Sequence, residues 1–415
     1  MKTKRIQLYL IALLIFLIAL LPNNIFAVTA NPNPIRYVQP DGSVITILLK
    51  GDEFIHWAVS SDGYTLLSNK NGTYEYAKIL ADGKLGFSGI QANEPNVRGG
   101  KEIEFLSKIS KGIFFPKSQI SQMKQAVSLT SGQGIQQSGG FPSGGTRKLL
   151  VILANFSNTS VTYPQANFDN YMNQVNYNGT GSFRDYYIEV SYGQLIVNTT
   201  VTAWVTLPNT HDFYGPQSMW GQFAFDAITA ANNQTAVNFA DFDNDNDGIV
   251  DGVAIFHQGQ GQEESAIITD VWSHSWELSS AGYTSTQRSF DGVMVDSYTT
   301  MPERNATSMG TIGVMCHEFG HNLGAPDFYD TDYSTNGFYS GTGNWDIMAT
   351  VLECKVDAVL IMGSIMNSKF FTNQLMRRIE KIATVSVYPI VNDLDSLAMN
   401  GMMILRGEAE ISEYI

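Results

Sequence analysis

Short runs in which hydrophobic and polar residues alternate fill the first part of the chain after residue 28. Runs at 43–49, 64–68 and 74–79 have the period of two that predicts β-strands. Four turn-forming pairs separate or flank these runs: Asp41-Gly42, Asp62-Gly63, Asn71-Gly72 and Asp82-Gly83. The pattern predicts a small β-rich module over residues 28–124, with no cluster of His, Asp, Glu or Cys that would give it chemistry of its own.

A different pattern begins near residue 149 and predicts a second domain over residues 147–350. Continuous apolar runs typical of buried strands alternate with segments whose apolar residues recur every three or four positions, as in amphipathic helices. The strands are predicted at 149–153, 195–205 and 253–257, and the helices at 182–191 and 218–231. This mixture predicts a sheet covered by helices.

Residues 125–146 join the two regions and contain no charged residue. Ser, Gly and Gln dominate this segment, a composition typical of a flexible linker. The basic pair Arg147-Lys148 follows directly. A β module, a loose linker and a basic pair suit a zymogen that is cleaved in or near the linker, while a plain interdomain linker is the alternative, because exposed linkers are cut in any case.

The N-terminus indicates the compartment. Lys2, Lys4 and Arg5 precede an apolar run over residues 6–21, and small residues follow at Ala27 and Ala30. These features predict a cleaved secretory signal peptide over residues 1–27, with an uncleaved membrane anchor as the alternative. No later run is long and apolar enough to span a bilayer. We therefore expect a secreted, extracellular protein without stable membrane association after cleavage.

Composition and charge exclude several classes of partner and of metal site. The 415 residues carry a formal net charge of −14, which argues against a nucleic-acid partner. Two cysteines exclude a disulfide-rich scaffold and a zinc site built on cysteines. Cys316 is expected to be buried, and its pairing with Cys354 is left open because sequence does not give their separation. A latency mechanism in which a cysteine of the N-terminal module binds the metal is also excluded.

The strongest chemical signal is the sequence His317-Glu318-Phe319-Gly320-His321. Two histidines four residues apart on a helix point the same way and can hold one metal ion, and Glu318 can reach a water bound to that metal. Zinc is the predicted ion, with Glu318 as general base. The opposing interpretation is two histidines that pack or cap on a helix without a metal.

The pattern continues to a Gly and an acid three residues further on. Gly324 allows a sharp turn after the helix and Asp327 is the predicted third zinc ligand, with Asp330 and Asp332 as nearby alternatives. Met348 is a candidate for the apolar floor beneath the metal, although a single Met is more often simple core packing. His274, Tyr333 and Tyr339 are candidate oxyanion stabilisers, for which packing or surface placement is the alternative.

A second metal signal lies at residues 243–251, where acids alternate with other residues. Such a spacing wraps a hard cation, a Gly at 248 allows the turn, and a backbone carbonyl completes the ligand set. Residue 254 is Ala where an EF-hand would have Glu, so a shorter loop with structural calcium is predicted; the alternative is a solvated acidic turn. The predicted calcium ligands are Asp243, Asp245, Asp247, Ile249 and Asp251.

Taken together, these segments resemble the immune inhibitor A family of secreted bacterial zinc metallopeptidases. The resemblance runs from about residue 148 to 350 and rests on segments at 181–193, 243–252, 272–276, 316–330 and 345–348. Residues 37–92, with Gly51-Asp-Glu-Phe-Ile-His-Trp57, are similar to the region that precedes such domains. The resemblance implies an α+β fold: a zincin-like metallopeptidase domain, with a twisted sheet and an active-site helix, behind a small β-rich module.

The family pattern stops after Thr350. None of the six Trp lies beyond that position, and residues 351–415 depart from the expected continuation, as in a divergent or truncated relative. The predicted function is a secreted zinc-dependent metalloendopeptidase that hydrolyses protein or peptide substrates with a zinc-activated water. The alternatives are a catalytically inactive or truncated extracellular binding protein derived from such a peptidase, and a sugar- or lipid-acting metalloenzyme, which the Gly-containing motif disfavours.

Overall fold

The computed structural model describes residues 29–31, 33–53, 55–130, 140–329, 347–349, 358–362 and 384–388. The chain divides into two compact units, Met1–Leu352 and Glu353–Ile415. Across the part of the chain that is described, no helix combines the length and the apolar character needed to cross a membrane. The signal peptide expected at residues 1–27 lies outside the described residues.

The N-terminal module is a six-stranded antiparallel sheet in which the strands follow one another in chain order. Its strands are β1 (Ile35–Val38), β2 (Val44–Gly51), β3 (His56–Ser60), β4 (Thr65–Ser68), β5 (Tyr74–Ile79) and β6 (Leu85–Gln91). Each of the four predicted turn pairs joins two consecutive strands, and its Gly has a positive φ. The remaining connection, between β2 and β3, carries no such pair.

Helices follow the module. These are α1 (Gly100–Leu106) and α2 (Lys117–Thr130), and the next strand, β7, covers Gly145–Asn155. The end of α2 and the start of β7 therefore occupy the two ends of segment 125–146, which was expected to be a linker. Residues 125–130 contain Ser and Gln but continue the helical turns of α2. Residues 131–139, the centre of that segment, lie outside the described residues.

The second domain is built on a five-stranded sheet with the strand order β11-β14-β10-β7-β8. Its other strands are β8 (Leu195–Thr206), β10 (Val253–His257), β11 (His274–Glu277) and β14 (Ser297–Pro302). Four of the five strands pair in parallel, and β11 runs antiparallel at the edge. A small separate sheet contains β9 (Ile249–Val250), β12 (Ser289–Phe290) and β13 (Val293–Val295).

Helices cover both faces of the five-stranded sheet. They are α3 (Gln165–Asn173), α4 (Phe183–Val190), α5 (His211–Tyr214), α6 (Trp220–Gln234), α7 (Gln262–Ser265) and α8 (Ile312–Asn322). Alternate residues of β7 point to opposite faces, so Leu149 and Val151 join the apolar cluster with α3, α4 and α8. Leu150 and Ile152 join the cluster with α6. The predicted mixture of helix and sheet behind a β-rich region is confirmed at that level.

The second unit contains β15 (Ala358–Met362) and β16 (Thr384–Tyr388), which pair in parallel. The boundary between the two units falls two residues after the position at which the sequence leaves the expected family pattern. Cys354 lies outside the described residues, while Cys316 is fully buried on α8 and burial raises the pKa of its thiol.

Candidate metal centre

Helix α8 carries the two histidines and lies against the sheet. Every residue from Met315 to Asn322 is buried. The helix ends as the sequence predicts: Gly324 has a φ of +89°, and the backbone N–H of Ala325 donates to the Gly320 carbonyl (3.0 Å). This left-handed residue turns the chain back so that Asp327 returns to the side of the helix on which the histidines lie.

Three ligand atoms converge at that side of α8. Nε2 of His317 and Nε2 of His321 lie 3.1 Å apart. Oδ1 of Asp327 lies 3.4 Å from the first nitrogen and 3.5 Å from the second. The structure therefore brings together the three residues that the sequence singled out, while the alternatives Asp330 and Asp332 lie outside the described residues.

The other nitrogen of each histidine shows which protonation state the site favours. Nδ1 of His317 lies 2.7 Å from the Ile347 carbonyl, and Nδ1 of His321 lies 2.8 Å from the Ala325 carbonyl. A carbonyl only accepts, so each Nδ1 carries the proton and donates, which leaves a lone pair on each Nε2. Two lone pairs and a carboxylate oxygen thus face one another without a proton donor among them.

A tetrahedral metal ion fits that arrangement. Ligand bonds of about 2.0–2.1 Å around a tetrahedral centre place neighbouring ligand atoms about 3.3 Å apart. The three separations in this site, 3.1, 3.4 and 3.5 Å, bracket that value. Burial lowers the pKa of His321 well below its usual value, and the neighbouring His317 lowers it further, so His321 stays in the neutral form that binds metals.

Glu318 lies within the same helical turn and is fully buried. It directly follows His317 on α8. Asp327 is also largely buried; burial raises the pKa of its carboxyl, and the adjacent His317 opposes that shift. A cation bound nearby would offset the energetic cost of burying the carboxylates of Glu318 and Asp327.

The turn at residues 347–349 packs against α8. A Cβ placed on Gly320 would lie 2.6 Å from Sδ of Met348, so the sulfur occupies the space that this Gly leaves. Met348 is buried, and its carbonyl accepts a hydrogen bond from the backbone N–H of Phe328 (2.9 Å). The predicted floor residue therefore packs against the helix between the two histidines.

Helix α4 holds the other side of α8. The Tyr187 hydroxyl donates to the Cys316 carbonyl (2.7 Å), and its ring packs on Phe319 with ring centres 5.0 Å apart. The N-terminus of α4 is a capping box between Ser182 and Asp185. The Tyr187 hydrogen bond stabilises the position of α8 against α4, and local sequence patterns do not predict it.

The acidic loop at residues 243–251 is partly organised for a cation. Carboxylate oxygens of Asp243, Asp245 and Asp247 lie within 4.8 Å of one another. Asp251 lies elsewhere: it is buried and accepts hydrogen bonds from the backbone and the side chain of Asn244 (2.6 and 2.7 Å). Of the four predicted carboxylate ligands, the structure thus brings three together, and strand β9 begins at Ile249.

His274, a candidate oxyanion stabiliser with packing as the alternative, packs on the face of the sheet away from α8. Its ring stacks on Trp220 of α6 at 4.3 Å, and its nitrogens contact the Trp272 carbonyl and the Tyr298 hydroxyl. The next residue, Ser275, is the one that faces α8, where its hydroxyl donates to the side chain of Asn322 (3.2 Å). Alternation along β11 therefore places His274 on the opposite face of the sheet, and burial lowers its pKa to about 3. Tyr333 and Tyr339 lie outside the described residues.

Glu53 is a buried acid that no sequence motif singled out. It belongs to the N-terminal module, to which no chemistry was assigned, and it is buried with an exposed fraction of 1%. Its electrostatic neighbours include Asp327 and Glu318. The sequence feature that could have drawn attention to Glu53 is the pair of adjacent acids, Asp52-Glu53, in an otherwise uncharged turn.

The sheet covered by helices and the two histidines that converge with a carboxylate form a candidate metal centre, an arrangement typical of metallopeptidases. Comparison with known families agrees: residues 155–352 match the family described as "Immune inhibitor A peptidase M6, catalytic domain". This match confirms the resemblance that the sequence motifs indicate.

Two curated relatives match with moderate identity. Immune inhibitor A of Bacillus thuringiensis subsp. alesti is 33% identical over 188 residues, which cover 38% of this chain and 26% of that protein. The pre-pro-metalloprotease PrtV of Vibrio cholerae serotype O1 (strain M66-2) is 29% identical over 198 residues, which cover 41% of this chain and 21% of that protein. The chain thus spans about a quarter of the length of these relatives.

A third similarity concerns a different kind of protein. A stretch of 66 residues is 42% identical to a probable butyrate kinase of Bacteroides thetaiotaomicron and covers 16% of this chain and 19% of that protein. The length of this stretch is close to that of the second unit, Glu353–Ile415, which begins where the peptidase family match ends.

Proposed function

We propose that the chain is a secreted zinc metalloendopeptidase with a zincin-like catalytic domain. One observation carries the proposal: His317, His321 and Asp327 direct three electron-pair donors at a common point at the separations of a tetrahedral metal site. The family match and the printed names of the two relatives support a peptidase that uses a metal. Zinc is the metal that two imidazoles and one carboxylate suit, with a position left for water.

A zinc ion in this site would supply the Lewis acidity that activates a water molecule and polarises a peptide carbonyl. The protein residues do the rest. Glu318 accepts the proton of the attacking water on a carboxylate oxygen and delivers it to the nitrogen of the leaving amine. The Ile347 and Ala325 carbonyls hold the histidines in the tautomer that presents Nε2, and Met348 and Tyr187 hold α8 in place.

Casein hydrolysis by the purified chain tests this proposal. It is measured before and after limited cleavage between residues 125 and 148, with and without a zinc chelator. We expect the cleaved chain to be active, the chelator to remove the activity, and added zinc to restore it. Stoichiometric zinc without any hydrolysis would instead favour the alternative, an inactive extracellular binding protein in which zinc supports structure.

We also propose that the loop at 243–251 binds structural calcium through Asp243, Asp245 and Asp247, with the Ile249 carbonyl as a further ligand. The close approach of three carboxylates supports this assignment, because acids at this density repel one another without a cation. Asp251 would act indirectly, by holding Asn244 through its two hydrogen bonds.

Calcium is therefore expected to raise the melting temperature by roughly 2–4 °C when its concentration exceeds Kd about a hundredfold. Asp245→Asn should remove this response, whereas Asp241→Asn, the same change at an exposed acid just outside the loop, should keep it. Melting is followed by calorimetry with calcium or with a calcium chelator. Equal melting temperatures of the wild-type chain in both conditions would rule out the calcium site.

The second unit is proposed to be unrelated to the peptidase. We infer that the 66-residue similarity to a butyrate kinase falls on residues from about 350 onwards, because the family match occupies 155–352 and the compact peptidase unit ends at Leu352. This explains why the peptidase pattern stops at Thr350. The similarity covers a fifth of that kinase and is no argument for kinase activity.

A further inference from the structure

The segment just before β7 packs against the helix that carries the two histidines. Phe141 in this segment is buried, with an exposed fraction of 3%. Its ring packs edge-on against the ring of Phe319, with ring centres 4.7 Å apart. Phe319 lies between His317 and His321 on α8. The chain that leads into the catalytic sheet therefore contacts the turn of α8 on which the candidate metal ligands lie.

The same segment also caps the end of α8. The last carbonyl groups of a helix have no partner within the helix and need one from elsewhere. The backbone N–H of Phe141 donates to the carbonyl of Asn322, the last residue of α8 (3.0 Å). Asn322 directly follows His321, so this hydrogen bond holds the backbone one residue beyond a candidate metal ligand.

The side chain of Asn322 joins the end of α8 to the sheet. Its Oδ1 atom accepts hydrogen bonds from the hydroxyls of Ser275 on β11 (3.2 Å) and Ser297 on β14 (3.3 Å). A Cβ at Gly252 would lie 2.8 Å from Nδ2 of Asn322, so this Gly makes room for the amide. Helix α8, the sheet and the segment before β7 therefore meet at one buried residue.

The basic pair Arg147-Lys148 lies inside β7. Both residues pair with β8, where Lys148 is opposite Asn198. In addition, the side chain of Asn244 accepts a hydrogen bond from the Lys148 N–H (2.7 Å) and donates one to the Lys148 carbonyl (3.0 Å). Cleavage by a protease depends on how far the backbone is buried and hydrogen-bonded. The fold therefore protects the peptide bonds at this pair.

We propose that Phe141 is a positioning residue for the metal-binding helix and that the active peptidase retains the segment before β7. This inference rests on the proposed function, because it gives Phe141 a role at a zinc ion held by His317 and His321. The Phe141 ring and N–H contact α8 two residues before His321 and one residue after it. Cleavage that separates the N-terminal module then takes place before residue 140, and not at the basic pair.

The first test compares Phe141→Ala with Phe115→Ala in the full chain. Phe115 gives a matched control because it is a buried Phe in an apolar cluster formed by residues of the N-terminal module. Both variants lose a similar apolar area, so both should melt at a lower temperature than the wild-type chain.

Zinc binding separates the two variants. Only Phe141→Ala should release zinc to a chelator about tenfold faster or more, the effect expected when a group that orients a metal ligand is lost. It should also change the visible absorption of the cobalt-substituted chain, whereas Phe115→Ala should match the wild-type chain in both measurements. Phe141→Leu keeps an apolar side chain and should release zinc at an intermediate rate, so the test does not depend on a single variant that folds poorly.

Limited trypsin digestion of the full chain tests where cleavage falls. Residues 125–146 contain no Lys or Arg, so the basic pair is the first trypsin site after Lys124. We expect cleavage at the pair to be slower in the folded chain than in a synthetic peptide of residues 140–155 on the order of a hundredfold or more, because a folded strand must first open. The cleaved bonds are identified by mass spectrometry.

Two results would overturn the proposal. One is zinc release and cobalt absorption equal to those of the wild-type chain in every Phe141 variant that folds. The other is an active fragment that begins at residue 148 or 149. If the wild-type chain holds zinc in either case, only the role of Phe141 and its segment is wrong. A wild-type chain without zinc would overturn the proposed function and this inference with it.

Discussion

Replacement of Glu318 by glutamine is expected to leave zinc bound and to lower casein hydrolysis by the cleaved chain about a thousandfold, the range in which general-base catalysis contributes. Glutamine keeps the shape of the buried side chain but its amide cannot accept the proton of the attacking water. The proposed metal ligands His317 and His321 are unchanged in this variant, so zinc content should stay at the wild-type level. The measurement is kcat together with zinc per chain by mass spectrometry.

Glu189→Gln provides the control for this substitution. Glu189 lies on α4, which packs against α8, but its side chain is exposed. This variant should retain full turnover. Turnover of Glu318→Gln equal to that of the wild-type chain would remove Glu318 as the base, and loss of zinc in that variant would show that the substitution disturbs the metal centre itself.

Replacement of Asp327 by alanine is expected to weaken zinc binding on the order of a hundredfold or more, since even the loss of a residue that only orients a metal ligand weakens binding 10- to 100-fold. Oδ1 of Asp327 lies within 3.5 Å of both histidine nitrogens, so its loss leaves two ligands where the site is built for three. Activity should fall with zinc occupancy. Zinc affinity is measured by competition with a chelator of known affinity.

Asp330→Ala and Asp332→Ala are the control variants that show whether the loss of zinc affinity is specific to Asp327. Both acids follow the same Gly turn in the sequence and were the alternatives to Asp327. We expect zinc affinity within a few-fold of wild type for both. A large loss in either of them, with Asp327→Ala unchanged, would assign the third ligand to that residue.

The local patterns were enough to predict the elements that carry the site. The four Asp-Gly and Asn-Gly pairs join consecutive strands, and Gly324 ends α8 as its position after the histidines predicts. These features succeed because a turn or a helix end depends on the conformational preference of one or two residues. The convergence of His317 and His321 on one side of α8 follows from helix periodicity alone, because side chains four residues apart on a helix point the same way.

Long-range contacts could not be predicted in this way. The side chain of Gln217 donates to the carbonyl of Glu53, 164 positions earlier in the chain, and no local pattern records that contact. His274 was a candidate for the site because of its residue type, with packing as the alternative, and the pleat of β11 turns it towards Trp220. Asp251 fits the spacing of a calcium ligand, yet its hydrogen bonds with Asn244 direct it elsewhere. In each case tertiary packing decides the direction of the side chain.

Zinc content tests the central claim most directly. The purified wild-type chain and its His317→Ala variant are compared by mass spectrometry of the metal after removal of loosely bound ions. The account predicts one zinc per wild-type chain and less than about a tenth of that in the variant, because removal of one of three protein ligands breaks the site. A variant that keeps one zinc per chain, or a wild-type chain that has none, would contradict it.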